Sequence, residues 1–204
     1  MNIGFISTRL AGNDGVSLET AKWATVLRRM GHSIFYCAGA LESGGPPGAL
    51  IPDMHFEHPE NAWIQAHAFG TTTPHPELYA RIEALKSAIK PRLDAFIRDY
   101  RIDLIIPQNI FAVPMQLPLG LALAEIIRET GIPTISHEHD YYWERTAYEP
   151  NCVGDILDAA FPPDLPSVRH VVISSIAQAS LKQRRGIDAT VVPNVFDYAT
   201  PAPG

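Results

Sequence analysis

The chain has 204 residues, 46% of them hydrophobic and 19% charged, with a formal net charge of −6 and a pI near 5.7. That composition supports one large domain with a sizeable core and excludes a disordered chain. The acidic balance, without any cluster of four or more Lys/Arg, argues against nucleic acid and anionic lipid head groups as partners.

From the N-terminus, "NIGFIS" (Asn2 to Ser7) is an apolar run ending in a small polar residue, the pattern of a buried parallel strand. It begins at once, without the basic and long apolar regions of a signal peptide. No later run approaches the ~18 apolar residues of a membrane span, so a cytoplasmic location is expected. "TRLAGNDG" is a loop. In "VSLETAKWATVLRRMG", Val16, Ala21, Trp23, Ala24, Leu27 and Met30 fall roughly on one helical face, with Gly31 as the stop. "SIFYCAG" reads as a second strand and buries Cys37 as a thiol. Cys152 is far away in sequence, and no CxxC spacing points to zinc. "ALESGGPPGALIPDMHFEHPENAW" is rich in Gly and Pro and reads as loop, with "MHF" as a short strand. "TTTPHPELYARIEALKSAIKPRLDAFIRDYR" is helical, with a break expected near Pro91.

"DLIIPQN" then reads as a strand, "PLGLALAEIIRETG" as a helix and "IPTISHEHD" as a strand with a polar end. "YYWERTAYEPNCVGDILDAAFPPDLPS" is irregular with one short helix. "RHVVISS" is a strand, "IAQASLKQRRG" a helix and "DATVVPN" a last strand. Pro193 and Asn194 end the sheet. Strands alternating with helices predict an α/β, Rossmann-like parallel sheet of about six or seven strands with helices on both faces. Residues 1–196 form this domain, and 197–204 begin a linker.

In such a sheet, ligands sit beyond the carboxyl ends of the strands. The conspicuous polar residues fall there: Arg9 to Gly15, Gln108 and Asn109, His137 to Arg145, and Ser174 and Ser175. Gly12 and Gly15 allow a tight turn and close backbone approach, and the first helical turn attracts anions. Glu19 is an alternative cap for that turn, and a plain strand-to-helix turn is the alternative reading of the whole loop. The GxGxxG fingerprint is absent, so neither NAD nor FAD is expected as cofactor. "HEHD" admits three readings: an HxH metal pair with Asp140, a structural histidine, or a catalytic or sugar-contacting one. "HFEH" (His55 to His58) could supply further ligands, but it lies in a loop rich in Pro and Gly. "YYWER" offers aromatic faces for sugar rings. Alternatively, Trp143 anchors the loop and Glu144–Arg145 is a surface pair of little worth.

Taken together, "GNDGVSLETAKWATVLRRMGH", "GIPTISHEHD", "VVISS" and "VVPNVFD" resemble the N-terminal, acceptor-side domain of family 4 retaining glycosyltransferases of GT-B architecture. The hinge departs from the family pattern, with Val195 and Phe196 where Gly-Val is usual. The resemblance implies hexosyl transfer from a nucleotide-sugar donor, with an oxocarbenium-like transition state and the donor phosphate taking the acceptor proton. The donor would be held mainly by a second domain with an E-x7-E pair, which this sequence lacks, so the isolated chain is expected to be inactive. His139 and Asp140 take the place of the family's catalytic "HD", and His139 would contact the transferred sugar. Gly12, Gly15 and Val16 would face the donor diphosphate. Arg9, Asn13, Gln108, Tyr141 and Arg145 would contact the acceptor. No metal and no cofactor are implied.

"HDYYWERTAYEP" is also similar to a bacterial subgroup with "HHHDxxWERxRF", associated with small soluble acceptors that include glycerate-type sugar acids. The residues point the same way. No basic amphipathic helix suits docking on an anionic membrane, and the guanidinium groups of Arg9 and Arg145 suit a carboxylate or phosphate. Two other classes stay open at this point: a non-catalytic Rossmann-like binding module, and a metal-dependent hydrolase using His137, His139 and Asp140.

Overall fold

The computed structural model describes residues 1–194. Thirteen principal elements alternate along the chain: β1 (Asn2–Ser7), α1 (Gly15–Arg29), β2 (Ser33–Ala38), β3 (Gly48–Leu50), α2 (Pro59–Ala68), α3 (Leu78–Asp99), β4 (Leu104–Pro107), α4 (Leu117–Thr130), β5 (Thr134–Glu138), α5 (Gly154–Ala160), β6 (Val168–Val172), α6 (Ser175–Arg185) and β7 (Ala189–Val191). The seven strands form one parallel sheet in the order β3-β2-β1-β4-β5-β6-β7. This is the expected Rossmann-like α/β fold. The order reverses between β1 and β4, so a crevice opens beyond their carboxyl ends.

The strands are buried on both faces because helices cover both. In β1, Ile3 and Phe5 pack with Trp23, Ala24 and Leu27 of α1. Ile6 faces the other way, into a larger cluster with Ile64 of α2, the Leu78–Ile82–Leu85–Ile89–Leu93–Phe96 stripe of α3, and α4. A Cβ on Gly4 would lie 2.9 Å from the Phe96 ring, so a glycine there lets α3 approach the sheet.

Four local expectations change. "MHF" is not a strand: Pro52–Met54 is a short 3-10 turn, and the added edge strand is Gly48–Leu50. The segment after it is not all loop, since α2 starts with Pro59 in its first turn, where a missing N–H costs nothing. The helix does not break at Pro91 but runs from Leu78 to Asp99. Pro91 and Ser87, whose carbonyl loses its partner, are both exposed, so the freed group lies on the solvent side of the helix. On α1 the inward face includes Glu19 and Thr20, while Met30 is 66% exposed. Cys37 and Cys152 are free; Cys37 is buried, and that burial pushes its thiol up to about 12.

Among the described residues no helix is long and apolar enough to cross a membrane. The hinge substitutions at Val195 and Phe196, and the linker at 197–204, lie outside the described residues.

Candidate functional site

The crevice at the switch point contains a cavity of about 110 Å³. Arg9 and Asp14 from the β1–α1 loop, Gln108 and Asn109 after β4, and Phe56 and Met115 from flanking loops line it. Whole-ligand pockets usually run from about 300 Å³ upward, so this cavity alone is too small for a whole ligand.

Arg9 is held from two sides. Its guanidinium donates to Asp14 Oδ2 at 3.1 Å and lies 5.2 Å from the centre of the Phe56 ring. Asp14, not Glu19, is the N-cap of α1: its carboxylate accepts from the Ser17 N–H at 3.0 Å and from the Ser17 hydroxyl at 2.8 Å. Burial opposes ionisation of Asp14, but the Ser17 donors and Arg9 outweigh it and hold the carboxyl below its ordinary range. Gly15 and Val16 then open the helix. A Cβ on Gly15 would meet nothing within 4 Å, so open space lies in front of this turn.

The far wall was not legible in the sequence. Asn61 of α2 is fully buried and donates to the carbonyls of Phe56 (2.7 Å) and Met115 (2.8 Å). Gln65 donates to Pro114 O at 2.8 Å, and Gln116 Nε2 to Asp53 O at 2.8 Å. Three amide side chains therefore tie the loops that carry Phe56 and Met115. A Pro at the helix start with a glutamate following it was the available signal.

The polar end of β5 divides by face, as alternation requires. His137 and His139 lie on the α1 side with ring centres 5.0 Å apart. His137 stacks on Trp23 at 4.4 Å, and its Nδ1 lies 2.9 Å from Gln108 Oε1. Burial, helped by the neighbouring His139, lowers its pKa to about 3, so it is neutral at working pH. The His139 N–H donates to Asn109 Oδ1 at 3.1 Å, and its Nε2 is buried without a protein partner. Asn109 holds this position with φ +55°, which asparagine tolerates better than most residues. Burial lowers the His139 pKa too, against the opposing pull of Glu19, Asp140 and Asp14. Glu138 points to the opposite face and is fully buried. It accepts a short bond from the Ser136 hydroxyl and another from the Ala112 N–H.

Several expected contacts are not made. Tyr141 is fully buried, stacked on Trp143 at 4.4 Å among Ala112, Val113, Val172 and Leu181. It anchors the loop and offers no surface to an acceptor, because an aromatic ring following a buried strand end is pulled into the core. Trp143 also anchors, donating from Nε1 to Ser180 Oγ of α6 at 2.9 Å. Arg145 pairs with Asp140 rather than with Glu144. Gly12 and Asn13 line a separate cavity of about 480 Å³ between α1 and the β2–β3 loop, away from Arg9. Ser174 is the N-cap of α6, accepting from the Ala177 N–H at 3.1 Å. His137, His139 and Asp140 do not converge as metal ligands, since Gln108 and Arg145 already engage His137 and Asp140. Among the described residues no group of three or more His, Cys, Asp or Glu is arranged to hold a metal ion.

Comparison with known proteins adds the decisive observation. Over 206 residues the chain is 37% identical to the mannosylglucosylglycerate synthase of Thermotoga maritima, an alignment covering 98% of this chain and 46% of that enzyme. It is 33% identical over 201 residues to the mannosylglucosylglycerate synthase of Petrotoga mobilis, covering 97% of this chain and 46% of that one. This chain is similar over nearly its whole length to one part of two mannosylglucosylglycerate synthases. It spans about half the length of these curated relatives. No family model matches the chain. Its fold also superimposes on the glycosyltransferase SnogD from Streptomyces nogalater, with TM-score 0.49, 16% identity, and coverage of 100% of this chain and 56% of that one. That likeness is too loose to bear on function.

Proposed function

We propose that this chain is the acceptor-binding half of a retaining, family 4 glycosyltransferase of GT-B architecture. In this reading it places a mannosyl unit from a nucleotide-sugar on a small anionic acceptor of the glucosylglycerate type. The observation that carries the reading is the small cavity at the switch point. Arg9 stands at it in a chain homologous over almost its whole length to mannosylglucosylglycerate synthases. A guanidinium already backed by Asp14 and Phe56 is fixed in direction and suits a carboxylate.

The geometry supports a division of labour. The carboxylate end of the acceptor enters the cavity, and its sugar extends outward along the crevice. The open space before Gly15 admits the donor diphosphate against the N–H groups of Gly15 and Val16. His139 stands between the two, near Glu19 and Asp14, with Nε2 free to bond a hydroxyl of the transferred sugar. Asp140 acts through Arg145, holding the loop at the mouth. The donor phosphate takes the acceptor proton as the anomeric bond breaks. A second domain after the hinge holds most of the donor.

Calorimetric titration of the chain tests this. Glucosylglycerate and glycerate should bind, while neutral sugars and lipid vesicles should not. Nucleotide-sugars should bind only in the millimolar range, about −4 kcal/mol. Binding to vesicles but to no small acid, or acid binding untouched by Arg9→Ala and Arg145→Ala together, would overturn the reading, as would measurable transfer by this chain alone.

A further inference from the structure

Gln108 closes the back of the cavity at the end of β4 and is 2% exposed. Its side chain has one strong protein contact, from Oε1 to His137 Nδ1 at 2.9 Å. Its Nε2 is buried and has no protein partner. A buried amide donor left unpaired costs about 1–3 kcal/mol, and the orientation of an amide is set by the network around it. The network here has one controlling member. His137 is clamped against the Trp23 indole at 4.4 Å with 27° between the planes, and the backbones of His137 and Gln108 are bridged at the ends of β5 and β4.

We infer that His137 is a positioning residue: its Nδ1–H holds Gln108 Oε1, and so aims the Gln108 N–H at an oxygen of the acidic acceptor in the cavity. This rests on the proposed acceptor role and assigns within it a second donor beside Arg9. A guanidinium and an amide N–H on one small cavity match the oxygens of a 2-hydroxy acid better than those of a neutral sugar, because the guanidinium needs a negative partner. His137 suits the task because it stays neutral. Its ring is desolvated, and His139 beside it opposes a second positive charge. A protonated ring would also donate from Nε2, into a place that holds no acceptor. In the Nδ1–H tautomer that the contact with Gln108 Oε1 requires, the Gln108 amide cannot turn over without placing two donors face to face. The free N–H of Gln108 is therefore held ready before the ligand arrives, which lowers the ordering cost of binding.

The two histidines of "HEHD" thereby divide their work: His139 faces the transferred sugar, and His137 acts through Gln108. The test is calorimetric binding of glucosylglycerate and of glycerate to the chain, to Arg9→Ala and to three further variants, each checked for folding by circular dichroism and thermal melting. Gln108→Glu keeps an oxygen for His137 but turns the cavity-facing donor into an acceptor, and should weaken acid binding at least about tenfold, the loss of one buried hydrogen bond. His137→Leu removes the donor that fixes the amide and should weaken it by about the same factor. His137→Asn, which returns an N–H near the position of Nδ1, should restore binding to within about threefold of wild type. Wild-type binding that depends on Arg9, with Gln108→Glu binding unchanged, would overturn this inference and leave the acceptor role standing. So would equal losses in His137→Leu and His137→Asn, which mark a merely structural ring. Absence of acid binding in the wild type would remove the inference and the proposed acceptor role together. If His137→Leu does not fold, Gln108→Glu and His137→Asn still decide.

Discussion

Replacing Glu138 by glutamine should change how stability depends on pH. Glu138 is fully buried at the end of β5, with a Ser136 hydroxyl and the Ala112 N–H as its donors and with Oε2 unpartnered. Burial raises its pKa from 4.5 to about 8, assisted by Asp140 and opposed by the two donors. The folded state therefore keeps a proton that the unfolded chain gives up between those values. Stability from this group is fully present below about pH 4.5 and is lost as pH rises to about 8, then stays level. Some three and a half pH units at 1.36 kcal/mol each come to roughly 5 kcal/mol. A glutamine side chain at this position cannot ionise and can accept from the same donors. Urea melts of the wild type and Glu138→Gln, from pH 5 to 9, should nearly coincide at pH 5. They should separate by about 3–5 kcal/mol at pH 8.5, with the variant the more stable. The titrations of His137 and His139, both shifted downward by burial, are common to both proteins and cancel in the difference. Parallel profiles, or a variant less stable than wild type at pH 8.5, would show that Glu138 is ionised in the fold and refute the reasoning.

Three further outcomes follow from the geometry. In an enzyme that includes the donor domain, His139→Ala should lower kcat/KM by about 2–4 kcal/mol, mainly through kcat, and by more than His137→Ala does. Equal losses in steady-state assays would remove the distinction between the two rings. Gly15→Val should leave the melting temperature of the chain nearly unchanged, because its Cβ enters open space, yet raise the donor KM of the full enzyme; an unchanged KM removes Gly15 from the site. Gly120→Ala should destabilise by about 1–3 kcal/mol, since its Cβ would lie 2.3 Å from the buried Phe161 ring; a neutral urea melt would mean that α4 and α5 are less closely packed than they stand.

The sheet was legible because its strands are continuous apolar runs set between amphipathic helices, and that pattern depends on near neighbours alone. The crevice was legible for the same reason: polar residues just past apolar runs must lie at strand ends. What stayed hidden depends on distant partners. Nothing near Asn61 in sequence shows that it spans from Phe56 to Met115. Tyr141 looked like a ligand platform because polar neighbours surround it, but α6 and the β4–α4 loop close over it. Gly12 and Asn13 share a loop with Arg9, yet they line the cavity between α1 and the β2–β3 loop and not the one at the switch point. Proline gave mixed signals. Pro59 started a helix that surrounding glycines and prolines concealed, and Pro91 sat on a solvated face where its cost is small.

The most direct test of the acceptor role is to follow backbone amide resonances of the chain while glucosylglycerate is added. The account predicts saturable shifts centred on Thr8, Arg9, Phe56, Gln108 and Asn109, which surround the switch-point cavity, and loss of those shifts in Arg9→Ala. Saturable shifts centred instead on Gly12, Asn13 and Arg28 around the second cavity, or no shifts at concentrations well above millimolar, would contradict it.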